Sequence, residues 1–291
     1  MSQSLNPDYQ GNKKSPKAMS DADMIAAAAA KHEEQFTEQS AKIKVPSEIV
    51  ELPSKGKLYP DGHPLKSGRI EMKYMTAREE DILTNQSYIK NGVVLDKLFQ
   101  ALILTKFDYN DLLLCDKNAI MVAARVLGYG KDYPITVTSP YTGEEVEHTV
   151  DLTTIGEREI DWSKLENGKN EFEFELPASK RKITFSLLTH GMQKKIDAEQ
   201  KAIKKLRKDA TLTTMLKYII TSIDGDTSDG TIRKFVDREL FAIDSRALRQ
   251  YIKSITPDLD LVIDVPDGES GDTFRSSINI GLDFFWPDTE I

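Results

Sequence analysis

Alternating and helically spaced apolar positions predict the first elements of the folded body. Apolar and charged residues alternate over 70–74, which is the period of a half-buried strand. Thr76 and Glu79 then form a capping-box pair, which predicts that a helix starts there. The apolar stripe of the next amphipathic helix consists of Leu95, Leu98, Phe99, Leu102 and Ile103.

A third helix and a hairpin follow in the same half. Asp116 is a residue type that caps helices, and Gly128 is one that ends them. The stripe between them is Ile120, Ala123, Ala124 and Leu127. Residues 134–137 and 146–152 read as two strands joined around a Pro-Tyr-Thr-Gly turn.

The same order of elements returns in the second half of the chain. Residues 183–187 alternate as residues 70–74 do, at an offset of 113, and Glu-Leu-Pro occurs at 51–53 and again at 175–177. The helical stripe returns at an offset of 117, as Leu212, Met215, Leu216, Ile219 and Ile220. At an offset of 128, the residues that match Asp116 and its successors are Asp244, Ala247, Leu248, Lys253, Ile263 and Val265. The fold class predicted is α+β.

This duplication predicts two pseudo-repeated lobes, each a strand, about three helices and a closing β-hairpin. The first lobe covers residues 47–155 and the second covers 170–291, with a connection over 156–169. With two copies, the pattern indicates a pseudo-symmetric pair rather than a solenoid.

The composition of residues 1–46 predicts a flexible polar arm with a helix near 22–40. The arm is rich in Ser, Asn, Gln, Lys and Glu, and alanines fill 26–30. Two interpretations stay open: a frayed, solvated helix, or an arm that becomes ordered against a partner subunit. In the second, the contact candidates are Met24, Ile25 and Phe36.

Composition excludes several classes of protein. The 291 residues carry a formal net charge of −8, whereas a general nucleic-acid binder needs a basic surface. No apolar run reaches the length of a membrane span, and the single cysteine permits neither a disulfide framework nor a cysteine-based zinc cluster within one chain. A protein made in a reducing cytoplasm is expected.

Motifs for catalysis or ion binding do not emerge from the spacing of the reactive residues. The four histidines, His32, His63, His148 and His190, show no metal-ligand spacing. Cys115 follows three leucines, which favours a buried inert thiol over a reactive one at a helix start. The acidic loop 224–230 lacks the Gly and Glu that a calcium loop requires. We therefore expect no catalytic residues, no metal and no cofactor, and a protein that is not an enzyme.

Residues 194–208 form a strongly basic segment in this acidic protein. Its apolar positions make only a narrow helical stripe, so a solvated helix face is one interpretation. Docking on an acidic partner is another, with Lys201, Lys204, Lys205 and Lys208 as contact candidates. Weak nucleic-acid contact is the third, although aromatic residues for base stacking are absent.

The C-terminus carries large aromatic residues close to the chain end. Phe284 and Trp286 would share one face of an extended segment and Phe285 the other. Because exposed aromatic side chains promote association, they must be packed against the chain or held by a partner. All three are contact candidates in the second case.

Two stretches resemble the baseplate hub assembly proteins of T-even-type contractile-tailed bacteriophages. The first is Leu52–Pro60, followed by Met75–Glu80; the second runs from Leu112–Asp116 to Gly128–Tyr133. Many members of that family carry a Cys-Pro-x-Cys-Gly turn suggestive of a zinc knuckle after the second block. Here Ser139–Gly143 stands in its place without either sulfur ligand, so this position offers no basis for a metal.

The resemblance implies a phage tail protein that acts through protein–protein contacts and has no catalytic residues. Its partners would be other tail or baseplate hub proteins, either as a transient assembly chaperone in the host cytoplasm or as a resident part of the virion baseplate. The alternative function is a nucleic-acid-associated regulator that uses the basic helix 194–208.

Overall fold

The computed structural model describes residues 45–205, 210–268 and 271–285, and those from Pro46 onward belong to one compact unit. The strands within these ranges are β1 (Ser47–Glu51), β2 (Arg69–Lys73), β3 (Asp132–Thr138), β4 (Glu145–Asp151), β5 (Phe172–Glu175), β6 (Lys182–Phe185), β7 (Ile220–Ile223), β8 (Val262–Pro266) and β9 (Thr273–Ser277). The helices are α1 (Ala77–Leu83), α2 (Gln86–Asn91), α3 (Val94–Leu102), α4 (Leu114–Tyr129), α5 (His190–Lys205), α6 (Thr211–Ile219), α7 (Asp229–Arg238) and α8 (Ala242–Ile255).

The strands form small antiparallel sheets rather than one large one. Strand β1 pairs with β2, β3 with β4, and β8 with β9, while β5, β6 and β7 make a three-stranded sheet in that order. The fold is mixed α+β, as the sequence predicts. None of the helices in the described ranges is both long and apolar enough to cross a membrane.

The predicted strand and capping box of the first half are confirmed. Ile70 and Met72 of β2 are buried on one face of the β1–β2 pair. The amide and the hydroxyl of Thr76 both donate to Glu79 Oε2, at 3.0 and 2.6 Å, and helix α1 follows. The local pattern sufficed here because both partners lie within one helical turn.

The predicted cap of the third helix is wrong. Helix α4 begins at Leu114, Leu113 is its N-cap residue, and Asp116 lies inside its first turn. The helix continues through Gly128 to Tyr129, and Gly130 follows with a φ of 86°. Asp116 is instead fully buried and bonded to a loop that lies 62 residues earlier. A partner so distant in sequence leaves no local signal.

The two predicted hairpin strands are confirmed as β3 and β4, and β8 and β9 form a second hairpin. The turns of the hairpins contact one another. The Ser139 hydroxyl donates to Asp267 Oδ2 at 2.5 Å, and the Tyr141 ring packs edge-on against Phe274. Ser139 also accepts from the Tyr141 and Thr142 amides, which holds its own turn together.

The hydrophobic core is continuous through both halves. Fully buried side chains from both, such as Leu52, Phe99, Phe185 and Leu248, belong to one cluster. A 3-10 turn near the C-terminus closes it, because Phe284 and Phe285 are 1% and 0% exposed.

Candidate interaction surfaces

The basic face of α5 is a cluster of exposed lysines. Lys194, Lys195, Lys201 and Lys204 are exposed, and none makes a hydrogen bond or an ion pair with the described residues. Ile196, on the opposite side of the helix, is buried and anchors it to the body. The predicted solvated basic face is therefore present as far as Lys204.

The other charges of α5 are engaged inside the chain. Arg233 of α7 makes ion pairs with Glu199 at 3.0 Å and with Asp229 at 2.9 Å, and the Tyr218 hydroxyl donates to Glu199. The hydrogen bond from Arg233 lowers the pKa of Glu199. Helix α5 is thus fixed on one side while its exposed lysines make no ion pair with the described residues, which suits contact with an acidic surface.

A cleft between the start of α3 and the start of α5 contains a charged cluster centred on Asp96. Lys117 and Asp96 form an ion pair at 2.6 Å, and His190 Nε2 lies 3.7 Å from Asp96. The Tyr109 ring lies 4.6 Å from the His190 ring. Burial lowers the pKa of His190 despite the nearby Asp96 carboxylate, which favours the neutral imidazole. These contacts join the walls of the cleft to one another.

A second cleft, of about 510 Å³, is mostly apolar and has three basic residues in its lining. Cys115 lies in its wall, and burial raises the pKa of this thiol well above its usual value. The expectation of a buried cysteine is confirmed, because Cys115 is 6% exposed. Arg158, Arg249 and Lys253 also line the cleft, and Arg158 donates to the Thr256 carbonyl at 3.0 Å.

The remaining reactive residues have structural partners. The ring of His63 stacks on Tyr59, and His63 Nδ1 accepts from the Leu65 amide. Asp224, in the acidic loop, accepts from the Lys182 amide and pairs with Arg181. Within the described ranges, no three His, Cys, Asp or Glu side chains are grouped as a metal site would need.

The C-terminal aromatic candidates pack within the chain. The ring of Phe284 lies 4.7 Å from that of Tyr133, and the ring of Phe285 lies 6.4 Å from that of Phe99. Neither side chain is on the surface. Other contact candidates, Met24, Ile25, Phe36, Lys208 and Trp286, lie outside the described residues, as does the side chain of Lys205.

An exposed apolar pair at the start of α8 was not recognised as a candidate from the sequence. Phe241 and Ile243 are 56% and 62% exposed, although both are large hydrophobic residues. The matching positions at the start of α4, Leu113 and Cys115, are buried. The offset of 128 that relates Asp116 to Asp244 also pairs these positions. A comparison of the segments that cover them could have identified the exposed pair.

A family model described as T4 bacteriophage base plate protein matches residues 45–259 of this sequence. The match covers well over half of the chain and nearly all of the elements described above. The chain belongs to this family. Neither the comparison with curated proteins nor the comparison with solved structures gives a match.

The family assignment makes this chain a T4-type phage baseplate protein and confirms the resemblance found in the sequence. It implies contacts with other phage tail proteins and a place in the tail baseplate of the virion. For a baseplate protein, the exposed lysines of α5 and the exposed pair at the start of α8 are surfaces of direct interest, because assembly depends on surfaces that neighbouring subunits can cover.

Proposed function

We propose that this baseplate protein acts in building the central hub of a contractile tail, through protein–protein contacts and without catalysis. The observation that carries the proposal is the set of exposed lysines on α5 that make no ion pair with the described part of a chain of net charge −8. A basic face on an acidic protein favours an acidic patch of a neighbouring subunit and disfavours a second copy of the same face.

Capture from infected cells tests the proposal. The tagged protein should retain tail and baseplate subunits, and recovery of metabolic enzymes alone would refute it. Replacing Lys201 and Lys204 by Glu should weaken retention at least tenfold. Replacing Lys90 and Lys106, which are also exposed lysines, should leave it unchanged.

Two versions of this function differ in whether the protein remains in the finished tail. A resident component is present in finished tails at a fixed ratio to the other subunits, whereas an assembly chaperone leaves before completion. Mass spectrometry of purified particles separates the versions, because stoichiometric peptides mark the first and their absence marks the second.

The α5 lysines also support a second candidate, a regulator that contacts nucleic acid. That function requires binding that weakens steeply as salt rises, since lysines displace counterions from phosphates. Filter binding between 50 and 200 mM salt, the range over which such contacts weaken most, tests it, and the absence of salt-sensitive binding removes it.

We also propose that the two halves of the body are copies of one unit. The Asp244 carboxylate accepts from the Ala178 and Ser179 amides, just after the second Glu-Leu-Pro, and Asp116 accepts from the Ser54 amide after the first. Met72 pairs with Ile103 as Phe185 pairs with Ile220, at the offsets of 113 and 117.

A backbone detail supports the same proposal. Lys55 and Lys180, which follow the two Glu-Leu-Pro segments, both have positive φ values, of 51° and 58°. An experimental structure should superimpose residues 47–151 on 172–277 with these elements in the same order. A different chain path in either half would refute the duplication.

A further inference from the structure

Inside one chain, the start of α4 is covered by the segment that leads into α5. Leu113 and Thr189 form an antiparallel bridge. The Leu114 amide donates to the Leu188 carbonyl at 2.9 Å, and the His190 amide donates to the Leu112 carbonyl at 2.7 Å. Leu113 is only 1% exposed as a result. We call residues 112–115 the covered edge.

The matching residues 240–243, at the start of α8, have the same backbone shape, but no segment of the described ranges covers them. Phe241 has φ −67° and ψ 148°, and Leu113 has φ −66° and ψ 139°. We call residues 240–243 the open edge. Within the described residues, neither the Leu240 carbonyl nor the Ala242 amide makes a hydrogen bond.

The segment that would cover the open edge also lies exposed. Residues 74–77 match residues 187–190 at the offset of 113, and Thr76 is extended, with φ −116° and ψ 171°. Tyr74 is 38% exposed, whereas its match Leu187 is 4% exposed. Neither the Met75 carbonyl nor the Ala77 amide is hydrogen-bonded within the described part of the chain.

We propose that the open edge of one copy of this chain is covered by residues 74–77 of a second copy. The Ala242 amide would donate to the Met75 carbonyl, and the Ala77 amide would donate to the Leu240 carbonyl. These bonds repeat the pair that joins the two halves inside one chain. The inference rests on the proposed duplication, and a second copy is the occupant because every chain carries both the open edge and its complement.

The proposed contact between copies differs from the contact inside one chain in how closely the neighbouring helix approaches. Inside the chain, α5 approaches the 3-10 turn Tyr109–Asp111 so closely that a Cβ on Gly191 would lie 3.0 Å from the Asn110 side chain. Arg78 stands at the position that matches Gly191, and α7 precedes the open edge where the 3-10 turn precedes the covered one. The contact between copies therefore repeats the backbone pairing and the burial of Phe241 and Ile243, without the close helix approach.

Such a contact joins two different surfaces, so it builds a closed ring or an open chain of copies. Sedimentation of the purified full-length protein over a range of concentrations should show species that are multiples of the 32.8 kDa chain. A protein that stays monomeric throughout would overturn the proposal.

Proline substitutions remove the two donors without disturbing the helices. Ala77 and Ala242 are the first residues of α1 and α8, where proline is well tolerated, and each follows an extended residue. Ala77→Pro or Ala242→Pro should raise the dissociation constant of self-association about tenfold, because each deletes one backbone bond and leaves its acceptor unpaired. Gln86→Pro, at the first position of α2 after the extended Asn85, is the matched control and should change nothing. Self-association that persists undiminished in both test variants would refute the pairing.

A cross-link tests the same geometry directly. Phe241 and Thr76 match the bridge partners Leu113 and Thr189, and paired positions of antiparallel strands lie within disulfide range. In a Cys115→Ala background, mixed Phe241→Cys and Thr76→Cys proteins should form a disulfide between copies, whereas Phe241→Cys mixed with Gln86→Cys should not. Circular dichroism confirms that each variant folds.

These tests use the chain alone, so their failure leaves the proposed contacts with tail proteins standing, and failure of the capture experiment leaves self-association standing.

Discussion

Two aspartates that stand 128 residues apart occupy matching places at the starts of α4 and α8, yet their pKa values are shifted in opposite directions. Asp116 and Asp244 are both 0% exposed. Burial raises the pKa of Asp116 to about 6 although its hydrogen bonds lower it. Burial also acts to raise the pKa of Asp244, but hydrogen bonds from the Ala178 and Ser179 amides outweigh it and hold the pKa below its usual value.

The difference lies in what surrounds each carboxylate. Asp116 accepts from the Ser54 amide at 2.9 Å, from the Ser54 hydroxyl at 2.8 Å and from the Tyr59 hydroxyl at 2.7 Å. Tyr59, itself 3% exposed, also accepts from the Leu113 amide, so this network lies deep in the core. Asp244 accepts from two backbone amides, and these donors, Ala178 and Ser179, lie nearer the surface than Ser54 and Tyr59. Both carboxylates hold the loop that follows Glu-Leu-Pro, but their surroundings shift their pKa values in opposite directions.

The largest expected effect comes from removing the deeper carboxylate. Asp116→Ala leaves the donors of Ser54 and Tyr59 without an acceptor in the core, and we expect the free energy of unfolding to fall by about 3–5 kcal/mol. Urea unfolding monitored by circular dichroism measures the change. Asp81→Ala, which truncates an exposed aspartate of α1, is the control and should stay within about 0.5 kcal/mol of the parent.

The shallower carboxylate should matter less. Asp244→Ala leaves the Ala178 and Ser179 amides unpaired, and we expect a loss of about 2–3 kcal/mol in the free energy of unfolding. The same urea titration measures it. A loss equal to that of Asp116→Ala would show that depth of burial does not separate the two sites.

The sequence predicts elements whose partners are near in the chain and misses contacts between distant segments. The strand at 70–74, the Thr76–Glu79 capping box and the 134–152 hairpin follow from local spacing, and the structure confirms them. Asp116 fits the pattern of a helix cap equally well, because an acidic residue near a helix start has the same local signature whether it caps the helix or reaches Ser54.

The candidate surfaces divide in the same way. The basic face of α5 follows from the spacing of its lysines, since solvated residues need no distant partner. The aromatic residues at 284–285 left two outcomes open, and only the position of Phe99 and Tyr133 in space decides that they are packed within the chain. The exposure of Phe241 depends on which segment lies above it, which is a property of the assembled fold.

A smaller change isolates the tyrosine that distinguishes the two sites. Tyr59→Phe removes a donor to Asp116 and the acceptor of the Leu113 amide while keeping the ring, and we expect a loss of about 1–3 kcal/mol. In a double-mutant cycle with Asp116→Asn, the two losses should be non-additive, because both residues belong to one network. Additive losses would contradict direct coupling between the two side chains.

The most discriminating test is the pH dependence of stability. The pKa of Asp116 is about 6 in the folded chain and about 4 in the unfolded chain, so the folded state binds the extra proton between these values. Its contribution to stability is present in full below about pH 4 and is lost as the pH rises to about 6. The lowered pKa of Asp244 gives the opposite sign, because its contribution is present above about pH 4 and is lost as the pH falls further.

Urea unfolding of the parent, Asp116→Asn and Asp244→Asn between pH 3 and 7 therefore separates the two sites without comparing absolute stabilities. The difference between the parent and Asp116→Asn should shift against the parent as the pH rises from about 4 to about 6, because only the parent must then ionise a carboxyl in the core. The difference between the parent and Asp244→Asn should stay flat over that interval and shift against the parent only on the acid side. If the stability differences of both variants changed with pH in the same direction, burial and hydrogen bonding would shift the two pKa values in the same direction. The contrast between the two halves would then rest on geometry alone.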